Sequence, residues 1–308
     1  MIYDNVLEAI GNTPMIRLHK LPGEGDAEVL VKFEGVNIGG SVKTRTAYNM
    51  IREAELRGEI SQDTIIVEPT SGNQGIGLAL VGAVRGYQTI LIMPDSVSAE
   101  RSKLLKNYGA EVILVKDNGD IGECIENCLQ TALDLKAGNP KVFVPQQFEN
   151  PDNPAVHWNH TAMEILEQVN KPIHGFCSGI GTGGTISGIG GLLREKNPSI
   201  EIWAMEPEHG AVLSGGLIGT HVQMGIGDGL IPANLNTKIY DHVEIVTDEE
   251  ALQTARDLAR YEGLMCGISS GTNMIGALRL ARKLGKGKTV VTLLPDTAER
   301  YFSTPLFD

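Results

Sequence analysis

Short β-branched runs alternate along the chain with longer segments whose apolar residues have helical spacing. In one helical segment, Ala47, Met50, Ile51 and Ala54 stand at i, i+3, i+4 and i+7 before Gly58. This period is typical of a helix with one buried face that ends at a glycine. The short runs predict nine strands, at 29–33, 64–67, 89–93, 112–115, 142–144, 175–177, 200–205, 243–246 and 290–294.

Strands that alternate with helices are typical of an α/β fold, in which helices cover both faces of a parallel sheet. Nine strands are many for one sheet in a chain of 308 residues, so we expect two sheets. A stretch with three prolines at 145–154 predicts the domain boundary, between a smaller domain at 1–145 and a larger one at 146–308. Ligands of parallel sheets bind at the carboxyl ends of strands, so we expect the site in a cleft between the domains.

Charge and hydropathy narrow the functional classes. Lys and Arg number 26 against 38 Asp and Glu, which gives a net charge of −12 and argues against nucleic acid as a partner. No apolar run approaches the ~18 residues that a membrane span needs. The first 11 residues include Asp4 and Glu8 and lack the basic and apolar regions of a signal peptide, so we expect a cytoplasmic protein.

Two of the four cysteines, Cys124 and Cys128, are spaced as neighbours on one face of a helix. No second pair of ligands follows at the spacing of a zinc site, so we expect core packing and no bound metal. The predicted buried stripe of this helix consists of Ile121, Cys124, Ile125, Cys128, Leu129 and Ala132.

A glycine-rich loop at 179–185 follows a predicted strand and opens a helix. Successive backbone N–H groups at a helix N-terminus form a cradle for a phosphate. Gly179, Gly181 and Gly184 also satisfy the dinucleotide pattern G-x-G-x-x-G, and Glu206 stands at the end of the next strand, where a ribose-binding acid belongs. Taken alone, the loop leaves open an NAD-dependent oxidoreductase and a protein that binds another phosphorylated cofactor.

Three further segments carry candidate chemistry. The loop at 69–75 is rich in neutral donors, and it suits either a bound carboxylate or an ordinary helix cap. Lys43 stands at the start of a predicted helix, where the dipole disfavours a cation and favours the neutral amine that bonds to an aldehyde. The segment at 267–271 matches the serine-hydrolase pattern G-x-S-x-G, but the required downstream histidine is missing, since His242 is the last one.

Together these segments resemble cysteine synthase (O-acetylserine sulfhydrylase), of the tryptophan-synthase-β class of pyridoxal-phosphate enzymes. The resemblance covers essentially the whole chain, in the family's order, and favours pyridoxal phosphate over a dinucleotide. It implies the two-domain fold type II of this class, with about residues 13–34 crossing into the second domain. The matching segments are 10–14, 41–45, 68–75, 147–148, 181–185, 225–229, 269–271 and 294–301.

The resemblance also implies roles for individual residues. Lys43 would bind the cofactor covalently and remove the Cα proton, Asn73 would bind the cofactor's phenolic oxygen, and Ser269 would face its pyridine nitrogen. The implied phosphate ligands are Gly181, Thr182, Gly183, Gly184 and Thr185. The implied substrate-binding residues are Thr70, Ser71, Asn73, Gln74 and Gln147.

Two departures from the family's pattern bear on the chemistry of the site. Gln74 stands where the family often has threonine, in the carboxylate loop. Asp228 stands where cysteine synthases usually have a small neutral residue. It is either a solvated loop acid or a catalytic general base that activates water or a thiol.

The implied activity is β-replacement, in which O-acetyl-L-serine and sulfide give L-cysteine and acetate. The alternative within the class consumes cysteine, releases hydrogen sulfide and adds water or another thiol with the help of Asp228. The resemblance further implies a homodimer. It also raises serine acetyltransferase as a partner, which the sequence alone does not decide.

Overall fold

The computed structural model describes residues 2–70, 72–96, 99–118 and 121–308. Over these residues the strands form two sheets. The strands are β1 (Met15–Arg17), β2 (Glu28–Phe33), β3 (Ile65–Pro69), β4 (Gln88–Pro94), β5 (Glu111–Val115), β6 (Val142–Phe143), β7 (Gly175–Gly179), β8 (Glu201–Pro207), β9 (His242–Val246) and β10 (Thr289–Leu294). One sheet has the order β1-β2-β10-β7-β8-β9 and the other β5-β4-β3-β6.

Helices alternate with these strands. A five-residue π-helical segment, His157–Thr161, joins α5 to α6 without a break. The helices are α1 (Lys43–Leu56), α2 (Asn73–Arg85), α3 (Ala99–Asn107), α4 (Ile121–Gly138), α5 (Asp152–Val156), α6 (Ala162–Val169), α7 (Gly184–Lys196), α8 (Asp248–Glu262) and α9 (Ile268–Leu284).

The chain divides into two compact units, each with its own sheet. The first unit comprises Met1–Ile10 and Lys43–Asp152, and the second comprises Gly11–Val42 and Asn153–Asp308. Every pair of neighbouring strands is parallel except β1 with β2. The predicted α/β fold with parallel sheets and helices is therefore confirmed.

Each of the nine predicted runs overlaps a strand, with ends that differ by a residue or two, whereas β1 was not predicted. This strand has three residues and pairs antiparallel with β2 at the sheet edge. Three residues are too few for a period of two to stand out in a sequence. The six residues of β10, in contrast, are all buried, because a central parallel strand is covered on both faces.

The predicted buried stripe of α4 is partly wrong. Cys124, Cys128 and Ala132 are buried against the sheet of the first unit. Ile125 is 57% exposed and Leu129 is 43% exposed, and the side chain of Ile121 lies outside the described set. The helix contacts the sheet through one face, and residues that follow a contact residue by one position point about 100° away from it.

Candidate active site

Lys43 is the first residue of α1 and is half-buried. The hydroxyl oxygen of Thr46 lies 2.9 Å from the carbonyl oxygen of Lys43 and 2.8 Å from Oε1 of Gln74, so it links the first turns of α1 and α2. A Cβ at Gly77 would lie 2.7 Å from the Cβ of Ala47, so only glycine lets the helices approach this closely. The structure thus brings Lys43 and Gln74 together.

The predicted carboxylate loop connects β3 to α2. The Thr70 N–H donates to the Ile92 carbonyl at 2.9 Å, and its hydroxyl oxygen accepts the Gly72 N–H at 3.3 Å. Asn73 begins α2, and the first N–H groups of a helix have no partner within that helix. Ser71 lies outside the described residues. The loop therefore presents neutral donors and a helix N-terminus, an arrangement that suits an anion.

Gln74 lies in the first turn of α2, and its side chain is only 2% exposed. Such complete burial is unusual for a glutamine. Its Nε2 has no hydrogen-bond partner among the described residues. Leaving a buried donor unpaired costs about 1–3 kcal/mol. A substrate oxygen at this point would supply the missing acceptor, so Gln74 fits the substrate-binding role predicted for it.

Gln147 is held by a buried carboxylate at the end of β3. The two oxygens of Glu68 accept the backbone N–H groups of Gln146 and Gln147, each at 3.0 Å. Complete burial raises the pKa of Glu68 to about 7, although both backbone donors act to lower it. Gln147, Thr70 and Lys43 thus belong to neighbouring segments of the first unit.

The phosphate loop lies in the second unit, between β7 and α7. Gly183 has a φ of +77°, which favours glycine, and a Cβ there would lie 2.8 Å from the backbone of Leu235. The side-chain oxygen of Asn153 fills the space that a Cβ at Gly184 would occupy, and its amide nitrogen donates to the Thr182 hydroxyl at 2.9 Å. The result is a glycine-lined turn at a helix N-terminus, which fits a phosphate group.

The loop that carries Asp228 packs on the phosphate loop. The Gly227 N–H donates to the Ile180 carbonyl at 2.8 Å, and the Gly225 carbonyl lies where a Cβ of Gly181 would be. Asp228 itself is exposed. The structure therefore places this carboxylate beside the phosphate loop on a backbone that hydrogen bonds hold in position.

Ser269 is the second residue of α9 and is 5% exposed. One turn later, Oδ1 of Asn273 accepts the Gly179 N–H at 2.6 Å, at the end of β7. Residues at i and i+4 share a helix face, so Ser269 lies on the same face of α9 as Asn273, which contacts the end of β7. Asn273 also donates to the Leu293 carbonyl at 2.9 Å, which fixes α9 on β10.

The segment that follows β10 supports the turn before Ser269. The Gly267 N–H donates to the Asp296 carbonyl at 3.2 Å, and the Tyr301 hydroxyl donates to Oδ2 of Asp296 at 2.6 Å. A Cβ at Gly267 would overlap both side chains. The matching segment at 294–301 therefore helps to place Ser269.

Glu206 is not available as a ribose ligand. The side chain is buried, and its carboxylate accepts the backbone N–H groups of Leu213 at 2.5 Å and Ser214 at 3.2 Å. The hydroxyl of Ser214 donates to the same carboxylate at 2.7 Å. Glu206 thus shapes its own loop, which removes the acid that the dinucleotide pattern requires.

The sequence interpretation missed four residues that hold the site together: Thr46, Glu68, Asn153 and Asn273. Glu68 had a signal, because an acid at the end of an apolar strand run is unusual unless it has buried partners. The other three contact residues at least 28 positions away. No local pattern reports such contacts.

Other chemistry is sparse within the described ranges. No group of three or more His, Cys, Asp or Glu side chains there could hold a metal ion. No helix there has the length and apolarity to cross a membrane. Burial raises the pKa of the Cys177 and Cys266 thiols to about 12, so neither is a ready nucleophile.

Comparisons with known proteins agree with this geometry. Residues 6–296 match the family model described as pyridoxal-phosphate dependent enzyme. A curated cysteine synthase from Staphylococcus aureus is 48% identical over 305 residues, which cover 99% of this chain and 97% of the relative. A solved hydrogen sulfide-producing enzyme from Fusobacterium nucleatum is 40% identical with a TM-score of 0.92, covering 98% of this chain and 99% of that one. O-acetylserine sulfhydrylase isoform 3 from Entamoeba histolytica is 37% identical with a TM-score of 0.94, covering 100% and 92%.

Proposed function

The chain belongs to the cysteine synthase family of pyridoxal-phosphate-dependent enzymes, and we propose that it makes L-cysteine and acetate from O-acetyl-L-serine and sulfide. The observation that carries this proposal is the link between the first turns of α1 and α2. It joins Lys43 to a loop of neutral donors suited to an amino-acid carboxylate. The relatives named cysteine synthase and O-acetylserine sulfhydrylase support the choice of substrates.

Different residues of the chain bind the substrate, bind the cofactor and transfer the proton. The carboxylate of the substrate binds to Thr70, Asn73 and Gln74 and to Gln147, with Ser71 completing the loop. Neutral donors suit this role, since their N–H and O–H groups donate hydrogen bonds to the carboxylate oxygens. Fixing the carboxylate orients the Cα–H bond toward the amine of Lys43, which is how positioning lowers the barrier.

The cofactor is held mainly by backbone. By the resemblance to the family, the N–H groups of the loop at 181–185 would bind its phosphate, Asn73 would bind its phenolic oxygen, and Ser269 would face its ring nitrogen. When bound, pyridoxal phosphate supplies an electron sink for the charge left at Cα of the substrate. A neutral hydroxyl at Ser269 does not enforce a protonated ring as an aspartate would, which favours β-elimination over transamination.

Lys43 carries the proton through the reaction. Its amine takes the proton from Cα, and acetate leaves Cβ with the electron pair of the C–O bond. Hydrosulfide then forms the Cβ–S bond, and Lys43 returns the proton to Cα. General acid–base catalysis of this kind contributes typically 10²–10⁴-fold in rate.

Product analysis tests the proposal directly. The protein, loaded with pyridoxal phosphate, should form cysteine from O-acetyl-L-serine and sulfide, and more slowly from L-serine and sulfide. Acetate and cysteine should appear in equal amounts. Release of sulfide from L-cysteine without any synthesis from O-acetyl-L-serine would overturn the assignment.

The second candidate activity consumes L-cysteine, releases hydrogen sulfide and adds water or another thiol. Two observations favour it: Asp228 stands beside the phosphate loop, and a relative from F. nucleatum is named hydrogen sulfide-producing. A carboxylate at this point would accept the proton of the water or thiol that adds to Cβ. It would also disfavour the approach of the anion hydrosulfide.

Asp228→Asn separates the two activities, because it keeps the shape of the side chain and removes its charge. If Asp228 is a base, the variant should lose about 10²-fold or more of the water or thiol addition while the release of sulfide from cysteine in the first turnover stays unchanged. Asp4→Asn, at an exposed acid of the first unit, is the matched control. Equal addition rates in parent and variant would make Asp228 a loop residue only.

The family resemblance also supports a cytoplasmic homodimer. Serine acetyltransferase is the proposed partner, since it catalyses the preceding step and its product is the substrate proposed here. Both statements follow from the resemblance of the sequence to the family.

A further inference from the structure

Glu68 is a fully buried carboxylate, and no positively charged side chain of the described residues contributes to its pKa. It is 1% exposed, and each of its oxygens accepts one backbone N–H, Oε2 from Gln146 and Oε1 from Gln147. Gln146 has a φ of +56°, in the left-handed region that non-glycine residues rarely adopt. The carboxylate therefore stabilises a strained turn immediately before the side chain assigned to the substrate.

Among the described residues around Glu68, the main polar partners of its carboxylate are the backbone N–H groups of Gln146 and Gln147. In the sheet, Glu68 pairs in register with Leu91 of β4. The opposite face of β3 presents Val67 to Cys124 and Cys128 of α4, whose thiols have raised pKa values because they are buried. Across the described residues, no charged side chain shifts the pKa of Glu68. An ionised acid in this position is costly, so we look for its function in the two N–H groups that it accepts.

We propose that Glu68 is a positioning residue for substrate binding, whose ionised carboxylate fixes the turn at 146–147 and so aims the Gln147 amide at the substrate carboxylate. This inference rests on the proposed function only in assigning Gln147 to the substrate. It adds a residue that touches neither substrate nor cofactor and acts through Gln147.

Protonation of Glu68 weakens the turn. The ionised form offers an acceptor to each N–H group, whereas the protonated form turns one oxygen into a donor that faces an N–H. The pKa of about 7 places this change near neutral pH, so substrate affinity should fall as the pH falls through 7. The free energy of unfolding should change in the opposite direction. The pKa of Glu68 in the folded protein lies above its ordinary value of 4.5, so the ionisation of Glu68 lowers stability as the pH rises from about 4.5 to 7.

The opposite directions of these two effects provide the test. Glu68→Gln mimics the protonated acid at every pH and should bind L-alanine, an amino acid with no leaving group, about 5- to 10-fold more weakly than the parent at pH 8. The dissociation constant, from isothermal titration of the cofactor-loaded protein, should rise between pH 8 and pH 6 in the parent more steeply than in the variant. At pH 8 the variant should melt at the same temperature as the parent or higher.

Glu206→Gln is the matched control. Glu206 is equally buried and also accepts two backbone N–H groups, but those belong to the loop at 213–214. It should leave the affinity for L-alanine and its pH dependence unchanged. A thermodynamic cycle adds a second control: with Gln147→Ala already present, Glu68→Gln should weaken binding no further.

Several outcomes would overturn the inference. These are equal affinity of Glu68→Gln and the parent at pH 8, additive effects with Gln147→Ala, a lower melting temperature that accounts for the lost binding, or no binding of L-alanine to the parent. Failure of the proposed function looks different. In that case L-alanine binds with the expected pH dependence, but O-acetyl-L-serine and sulfide give no cysteine.

Discussion

Lys43→Ala is expected to abolish both covalent attachment of pyridoxal phosphate and turnover. The alanine side chain has no amine to bond to the aldehyde of the cofactor, and no base remains at the first residue of α1 to move the Cα proton. Loss of the base alone should cost about 10²–10⁴-fold in rate. Borohydride reduction followed by peptide mapping should place the pyridoxyl group on Lys43 in the parent and on no lysine in the variant.

A substitution of a second lysine tests whether the expected loss is specific to Lys43. Lys106 is an exposed residue of α3 in the same unit, and Lys106→Ala should keep both the label and the activity. The backbone N–H groups proposed to bind the phosphate remain in the variant, so it should still bind the cofactor in a dialysable form. A pyridoxyl group on another lysine, or unchanged turnover in Lys43→Ala, would refute the proposed role.

Gly183→Ala is expected to weaken binding of pyridoxal phosphate by about 10²-fold. An alanine at a φ of +77° is strained, and its Cβ would lie 2.8 Å from the backbone of Leu235, which cannot move aside as a flexible side chain would. Strain and overlap together cost about 3 kcal/mol, and each 1.4 kcal/mol is tenfold in affinity. Fluorescence titration of the cofactor-free protein measures the affinity.

Gly138→Ala serves as the control for this substitution. Gly138 ends α4, its φ is not in the left-handed region, and a Cβ there would meet nothing within 4 Å. We expect unchanged affinity in this variant. The melting temperatures of both cofactor-free variants show whether either substitution unfolds the protein. We expect both variants to remain folded and only Gly183→Ala to lose affinity for the cofactor. Full affinity in Gly183→Ala would show that the cradle tolerates a side chain.

The fold class could be predicted from the sequence because it depends on local periods. Every predicted strand run overlaps a strand of the structure, since short apolar runs rich in β-branched or aromatic residues and separated by helical segments are typical of buried strands. The prediction failed where a strand was very short or where apolar residues occupied more than one face of a helix. β1 has only three residues, and Ile125 and Leu129 extend an apolar pattern of α4 beyond the face that contacts the sheet.

For the candidate site too, some residues could be identified from local sequence and others only from tertiary contacts. Lys43, the carboxylate loop and the phosphate loop could be identified from the sequence, because glycines and donors at the start of a helix have a chemical meaning that does not depend on distant residues. The resemblance to the family already favoured pyridoxal phosphate over a dinucleotide at these glycines. The tertiary structure adds an independent reason, because the carboxylate of Glu206 accepts the backbone N–H groups of Leu213 and Ser214.

The sequence by itself therefore determined the α/β fold, the helix start at Lys43 and the glycine loop, because each depends on residues close together in the chain. Only the tertiary structure decided how these pieces are held. Thr46 links Lys43 to Gln74, Asn273 ties α9 to β7, and Glu68 fixes the turn before Gln147. Apart from the local bond from Thr46 to the Lys43 carbonyl, these bonds join residues between 28 and 94 positions apart. A hydrogen bond forms according to distance and angle in space, which no short stretch of sequence encodes.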